Sequence, residues 1–152
     1  MAEQPETRFG GASASPGFLL WRATLRWQRA IARALRAHDL THTQFVLLAS
    51  LWSMESHGDG PPTQRELARR TAIDVPTTGQ VVRALEGRGL LERPADAHDA
   101  RARRLALTPA GRAALGPALA AVEGTDVDYF GDLIHDPALL GLLTRLAPLD
   151  EE

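Results

Sequence analysis

The sequence predicts a mostly α-helical protein that carries one small β-hairpin, and three observations lead to that prediction. Several stretches lack proline and glycine and are preceded by residues that cap helices. Two short helical segments follow one another between residues 63 and 89, as in a helix-turn-helix. Two strand-like runs come directly afterwards. A β-hairpin behind a helix-turn-helix defines a winged helix, so we expect a winged helix-turn-helix lobe with additional helices around it.

The first two helices are predicted on composition and capping. Residues 18–38 contain neither proline nor glycine and form one long helix, which ends at Asp39. Thr41 or Thr43 can cap the next helix. That second helix, residues 43–56, is apolar on nearly every side, so we expect it to be central and buried.

The helix-turn-helix is predicted from two N-terminal signals. Thr63 and Glu66 have the spacing of a capping box, in which each side chain accepts a hydrogen bond from the other residue's backbone amide. Asp74 caps the following helix, and Pro76 suits its first turn. The glycines at positions 87 and 89 end it.

The hairpin is predicted from strands at 90–94 and 101–107 with a polar loop between them. Thr108 then caps a helix that starts at about residue 109, and we expect the Gly-Pro pair at 116–117 to bend this helix. A last short helix, 137–146, follows Asp136 as its cap.

The composition excludes several classes of protein. All 17 basic residues are arginines, and the chain has neither lysine nor cysteine. A Walker phosphate loop, a Schiff-base lysine, a disulfide, a cysteine-ligated zinc and thiol catalysis are therefore excluded. No nucleophile, base and orienting group can be assembled from the motifs, so we predict that the protein is not an enzyme and needs no cofactor. No apolar run is long enough for a membrane span, and we expect a cytoplasmic protein.

Charge is unevenly distributed along this acidic chain of net charge −2. Residues 61–112 hold 10 arginines and 6 carboxylates, whereas residues 113–152 hold one arginine and 8 carboxylates. Residues 1–17 are rich in small residues and lack the apolar core of a signal peptide, so we interpret them as a disordered tail. The basic middle segment indicates a module that binds a polyanion.

Five motifs in this order and spacing resemble the MarR family of winged-helix transcriptional regulators. They are LTHTQFVLL at 40–48, TQRELA at 63–68, LEGRGLLER at 85–93, DAR at 99–101 and LTPAG at 107–111. The likeness covers roughly residues 18–147. It implies an obligate homodimer with intertwined first, fifth and sixth helices, and two winged helices that straddle a pseudo-palindromic DNA site. Many members are repressors that small anionic aromatic compounds release.

The resemblance divides the chain into a DNA-binding region and a dimerisation region. Residues 61–108 form the winged helix-turn-helix, and residues 18–60 with 109–149 form the helical dimerisation region. The chain departs from the family at Val75 and Gln80, where relatives often carry arginine, and at the wing, where a common Asp-Arg-Arg reads Asp-Ala-Arg at 99–101. These departures leave the operator sequence open.

The residues that we predict to contact DNA lie on the two short helices and the wing. Arg101 is predicted to enter the minor groove, and Asp99, two residues earlier on the same side of a strand, is predicted to hold its guanidinium. Gln80 and Arg83 are predicted to read base edges. The predicted phosphate contacts are Thr63, Gln64, Thr77, Thr78, Arg103 and Arg104.

Three further interpretations concern ligands and the dimer. A pocket for an anionic effector is predicted from Trp21, Arg22, Trp27, His42, Phe45 and Trp52, although aromatic residues at helical spacing are more often core. His38 and His42 have the spacing of helical zinc ligands, but the helix breaks between them, so we predict no metal site. Arginines at 22, 26, 29, 33 and 36 form one stripe, which the five acids of 123–136 can pair with across a dimer.

We therefore expect a homodimeric DNA-binding regulator of transcription, and the resemblance implies that it is a repressor. Two other classes compete with this expectation. A winged helix that binds proteins would not need the basic segment or the arginine of the wing. A carrier of a small molecule or metal would bind its ligand tightly without affinity for DNA.

Overall fold

A computed structural model of the chain describes residues 6–58, 60–99 and 101–148. Its helices and strands are α1 (Pro16–Leu35), α2 (His42–His57), α3 (Gln64–Thr71), α4 (Val75–Gly87), β1 (Leu91–Glu92), β2 (Ala106–Leu107), α5 (Pro109–Phe130) and α6 (Pro137–Leu146). Short 3₁₀ turns lie at Ala12–Ala14, Arg36–His38 and Gly131–His135. The predicted fold class, mostly α with one two-stranded hairpin, is confirmed.

Helix α1 begins two residues before the predicted start. Pro16 occupies its first position, where the missing amide has no helical partner to lose, and the Ser15 side chain accepts from the amide of Phe18 at 3.4 Å. These two residues therefore belong to the capped helix and not to the segment 1–17 that precedes it. Residues 1–5 of that segment lie outside the described residues.

Helix α2 supplies the centre of the core. Leu47, Leu48 and Leu51 are fully buried, against Leu35 of α1 and Leu67 of α3 in one apolar cluster. The Thr41–Gln44 pair forms a capping box at its start, with side chain to amide distances of 3.1 Å in both directions. The prediction of a central buried helix is confirmed.

The helix-turn-helix forms as the caps predict. Thr63 and Glu66 make the capping box of α3, and the Asp74 carboxylate accepts from the Thr77 amide at the start of α4. The two helices cross closely at Gly79, where an added Cβ would lie 2.8 Å from Nε2 of Gln64. The glycine at this position therefore leaves room for the Gln64 side chain between the two helices.

The hairpin is shorter than the strands predicted at 90–94 and 101–107. Leu91 pairs with Leu107 and Glu92 with Ala106, and a single further bridge joins Ala95 to Arg103. Two amides of the second strand point elsewhere: Leu105 donates to the Pro62 carbonyl and Leu107 to the Glu55 carboxylate, both at 2.7 Å. These bonds replace part of the ladder and attach the wing to neighbouring elements.

Helix α5 is continuous from Pro109 to Phe130 and passes through Pro117. Proline removes one helical hydrogen bond, but residues 113 and 117 are both exposed, so the carbonyl without a partner is open to solvent. The helix is therefore not interrupted at 116–117, where a bend was predicted. Caps at Thr108 and Asp136 start α5 and α6 as predicted.

Large apolar side chains remain exposed at both ends of the described chain. They are Phe18, Leu19, Leu20 and Trp21 on α1, and Leu140, Leu142, Leu143 and Leu146 on α6. Within the described ranges, no helix is long and apolar enough to cross a membrane.

Gly111 lies where the start of α5 meets the wing, and it gives a test of this packing. A Cβ at Gly111 would lie 1.9 Å from the Leu90 carbonyl oxygen, so Gly111→Ala has to displace backbone. We expect it to lower the free energy of unfolding by about 1–3 kcal/mol, as overpacking does. Thermal or denaturant unfolding measures this.

Gly124 is the matched control in the same helix, since nothing lies within 4 Å of its added Cβ. Gly124→Ala should leave stability unchanged or raise it by up to about 1 kcal/mol, because alanine is the better helix former. Equal losses for both variants would contradict the close approach at Gly111.

Candidate nucleic-acid interface

Helix α4 presents an exposed stripe with two polar side chains. Pro76, Gln80 and Arg83 recur at intervals of four and three residues, and all three are exposed. The Asp74 carboxylate holds the start of the helix through the Thr77 amide at 2.8 Å, and this hydrogen bond lowers the pKa of Asp74. The opposite side of α4 is anchored in the core by Val82 and Leu85. The helix is therefore fixed in the core on one side, and the stripe on its other side faces solvent.

Thr78 does not lie on this stripe, and the prediction that it contacts phosphate is wrong. Its exposed fraction is 0%, and its hydroxyl donates to the Ile73 carbonyl at 3.4 Å. Adjacent helical residues differ by about 100° in direction, so Thr77 and Thr78 cannot both face outward. Thr77 is half-buried and lies nearer the outer face.

Thr63 and Gln64 occupy the start of α3 with different surroundings. The Thr63 hydroxyl donates to the Glu66 carboxylate at 2.9 Å and accepts from the Glu66 amide at 3.2 Å, so it serves the capping box. Gln64 Nε2 and Arg83 Nη1 lie 2.8 and 3.5 Å from the position that a Cβ on Gly79 would take. The structure therefore brings Gln64 beside Arg83.

In the wing, Asp99 acts on the backbone of Arg101. Its Oδ1 accepts from the Arg101 amide at 2.9 Å, and its carbonyl accepts from the Ala102 amide at 3.0 Å. The two residues lie in a turn and not on one side of a strand, so the predicted contact of Asp99 with the guanidinium is replaced by this turn. Ala100 lies outside the described residues.

Arg104, which was predicted to contact phosphate, is turned toward two carboxylates of the protein. Its guanidinium forms an ion pair with Asp96 and a second one, at 3.4 Å, with Glu66. Arg101 and Arg103 are instead exposed, and neither has an ion-pair partner in the described part of the chain. Of the arginines predicted to contact DNA, Arg83, Arg101 and Arg103 are therefore the ones that remain exposed.

Sequence reasoning missed Asp96 and Glu66 as partners of Arg104, and it also missed the exposed Arg65 on α3. The stretch Asp-Ala-His-Asp at 96–99 carried a usable signal, since aspartates with this spacing form turns through backbone amides. Nothing in the sequence signals the long-range pairing of residue 66 with residue 104.

The residues predicted to form an effector pocket are mostly apart. Trp27 and His42 stack edge to face with ring centroids 5.1 Å apart, and Trp27 Nε1 donates to Asp126 of α5 at 2.7 Å. Phe45 belongs to the core, whereas Trp21 is 62% exposed. Trp52 instead contacts His57, and the Arg22 guanidinium lies over the Phe18 ring. The six residues therefore do not line one pocket.

Metal ligands are not grouped in the described ranges: no three histidine, aspartate or glutamate side chains there are placed to hold an ion. His42 is half-buried beside Trp27, and its burial lowers its pKa while the Asp126 carboxylate acts in the opposite direction.

Comparison with known proteins identifies the family of the chain. The MarR family model matches residues 40–102. An uncharacterised HTH-type transcriptional regulator of Bacillus subtilis, YdcH, is 43% identical over 140 residues, which are 92% of this chain and 95% of that protein. The chain belongs to the MarR family.

Solved MarR-type structures have the same fold. A probable transcriptional regulator from Pseudomonas aeruginosa is 36% identical with a TM-score of 0.77, over 90% of this chain and 99% of its own. The repressor CouR bound to a 23-mer DNA duplex is 31% identical with a TM-score of 0.76, over 94% and 97%. CouR from Rhodococcus jostii RHA1 bound to p-coumaroyl-CoA is 26% identical with a TM-score of 0.77, over 93% and 99%.

This MarR protein is a DNA-binding transcriptional regulator and not an enzyme, as the sequence predicts. In a winged helix of this kind the second helix of the helix-turn-helix is the recognition helix, which is α4.

Thr77 and Thr78 provide a matched pair of variants. Thr77→Val should weaken DNA binding a few-fold if its hydroxyl contacts phosphate, since a hydrogen bond contributes about 0.5–1.5 kcal/mol. Thr78→Val keeps the shape of a buried side chain and should leave affinity unchanged. Fluorescence anisotropy with labelled duplex measures both, and a larger loss for Thr78→Val would contradict the orientation of α4.

The pKa of His42 predicts an acid effect on stability. The pKa of His42 is lowered in the folded state, so folding favours its neutral form. The resulting contribution to the stability of the fold is complete above the ordinary pKa of 6.5, and it is lost as the pH falls from 6.5 through the lower pKa of the folded state. The melting temperature of wild type should therefore fall more steeply below pH 6.5 than that of His42→Gln. Parallel curves would contradict this.

Proposed function

We propose that the protein binds a pseudo-palindromic operator as a homodimer and represses transcription. One observation carries the proposal: the exposed arginines of the winged helix lie on the two elements that contact DNA in this fold. Arg83 is on α4, and Arg101 and Arg103 are on the wing. A recognition helix in the major groove and a wing at the adjacent minor groove would engage one half-site. CouR, a repressor seen on a DNA duplex, supports this assignment.

The dimer is supported by uncovered apolar surface. The exposed leucines of α6 and the apolar start of α1 have no cover within one described chain. A second copy would bury them and give two α4 helices the spacing of about 34 Å that separates successive major grooves. In this proposal, residues 61–108 bind DNA, and 18–60 with 109–149 form the dimer.

Charged side chains without ion-pair partners among the described residues also support a second copy of the chain as the partner. Arginines 22, 26, 29 and 33 of α1 and Arg36 of the following turn have no ion-pair partners among the described residues. The same is true of the acids at 123, 128 and 132. Pairing between the two copies would add little energy per pair but would define the register of the helices.

The recognition helix favours A·T pairs in the operator. Gln80 is a side chain that pairs with adenine N6 and N7 in the major groove. Val75, at the first position of α4, is an apolar residue with 45% of its surface exposed, and it can contact a thymine methyl group. Arg83 would add a contact to guanine or to phosphate.

Release by a small molecule completes the proposed cycle. The contact of Trp27 with His42 and Asp126 joins α1, α2 and α5, and it is the part of the predicted effector set that the structure brings together. The CouR complex with p-coumaroyl-CoA supports a ligand-responsive regulator. We place the protein in the cytoplasm, because a regulator has to share a compartment with its operator.

Selection of bound sequences from random DNA tests the proposal. We expect a palindrome with A·T pairs in each half-site, and an affinity that falls with salt with a log–log slope on the order of −5 to −10 for the dimer. Failure to enrich any sequence would reject DNA-binding regulation and favour a winged helix that binds protein.

Gln80→Ala tests the readout itself. It should relax the preference at one base pair in each half-site by about 1–3 kcal/mol and leave non-specific binding unchanged. Replacing thymine by uracil, which lacks the methyl group, should lower the affinity of wild type at one position. Val75→Ala has a shorter side chain and should make this loss of affinity smaller. Unchanged selectivity in both variants would contradict the proposed readout.

A further inference from the structure

Arg104 connects three separate parts of the winged helix. Its Nε pairs with the Asp96 carboxylate in the wing loop. Its Nη1 donates at 3.4 Å to Glu66 of α3 and at 3.4 Å to the carbonyl of Pro61, before α3. We call Asp96, Arg104 and Glu66 the wing network. The side chain of Arg104 is 35% exposed, and its two carboxylate partners direct its charge toward the protein.

Asp96 organises the loop that carries the predicted groove residue. Its carboxylate is only 7% exposed and accepts from the amides of His98 at 2.7 Å and Asp99 at 3.1 Å, in addition to Arg104. These hydrogen bonds lower the pKa of Asp96 to about 2, so it is ionised throughout the neutral range. Asp99 in turn accepts from the Arg101 amide. The position of Arg101 therefore depends on Asp96 through two consecutive turns.

Glu66 connects the same network to the recognition helix. The oxygen that faces Arg104 also accepts from the Thr63 amide at 2.6 Å, within the capping box of α3. Helix α3 contacts α4 closely through Gln64 and Gly79. The Leu105 amide, next to Arg104, donates to the Pro62 carbonyl at 2.7 Å, which adds a second attachment between wing and α3.

From these contacts we infer that the wing network sets the position of Arg101 relative to α4, and that Arg104 is a positioning residue which does not contact phosphate. The inference rests on the proposed function, since it assigns the wing a fixed place on the operator. A wing held at one distance from α4 reaches the minor groove without losing further conformational freedom, which favours specific binding.

Asp96→Asn separates this inference from simple electrostatics. The variant removes a negative charge near DNA, so electrostatics alone predicts tighter binding to every duplex. Loss of the network predicts about tenfold weaker operator binding with little change on non-specific duplex. Tighter or unchanged operator binding would overturn the inference.

Arg104→Gln and Arg103→Gln form the second comparison. Removal of a phosphate contact lowers the magnitude of the salt slope by about 1 per site. We expect this for Arg103→Gln, with specific and non-specific affinity reduced alike. Arg104→Gln should weaken operator binding about tenfold at an unchanged slope. A lowered slope with equal losses on both duplexes would show that Arg104 contacts phosphate and overturn the inference.

Folding is controlled with a milder variant and a measurement without DNA. Glu66→Gln keeps an acceptor for the capping box and removes the charge opposite Arg104, so operator binding should fall two- to fivefold. In the free protein, Asp96→Asn should speed hydrogen exchange at the Arg101 and Leu105 amides at least tenfold, while core amides of α2 stay protected. Unchanged exchange at both wing amides would overturn the inference, whereas wild type that selects no DNA sequence would overturn the proposed function.

Discussion

The burial of α2 is the constraint on which the other elements depend. Leu47, Leu48 and Leu51 are closed to solvent, and they share one apolar cluster with side chains of the neighbouring helices and both strands. A helix that is apolar on nearly every side is stable in water only when other elements enclose it. The recognition helix and the base of the wing therefore take their places as parts of the cover around α2.

One polar side chain of α2 defines the orientation of the hairpin relative to this core. Glu55 near the end of α2 accepts from the Leu107 amide at 2.7 Å and from Arg112 at 2.5 Å. Its carboxylate is 10% exposed and joins the second strand and the start of α5 to the central helix. Apolar packing alone is not directional, whereas these hydrogen bonds specify where the hairpin leaves the core.

Local signals made most of the fold predictable, and long-range contacts explain what was missed. Thr41, Thr63, Asp74, Thr108 and Asp136 each cap a helix through residues two or three positions away, so the sequence contains the whole interaction. From the sequence, Arg104 was predicted to be a cation free to contact phosphate, because its partner Glu66 lies 38 residues earlier. The contact of Asp126 with Trp27 was likewise not predictable, since 99 residues separate them. On α4 the outward positions of Gln80 and Arg83 were predictable, whereas Thr78 lies on the buried side.

The continuity of α5 has a mechanical consequence. Its first turn is fastened to the wing, where the Thr108 hydroxyl donates to the Gly89 carbonyl at 2.6 Å, and its far half meets α1 at Asp126 and Tyr129. At 1.5 Å per residue, the 18 residues from Thr108 to Asp126 span about 27 Å. A tilt of about 5° around one end of a rod of that length displaces the other end by about 2 Å. A small change in the packing of α5 against α1 would therefore move the wing by about the distance that separates a formed from a broken hydrogen bond.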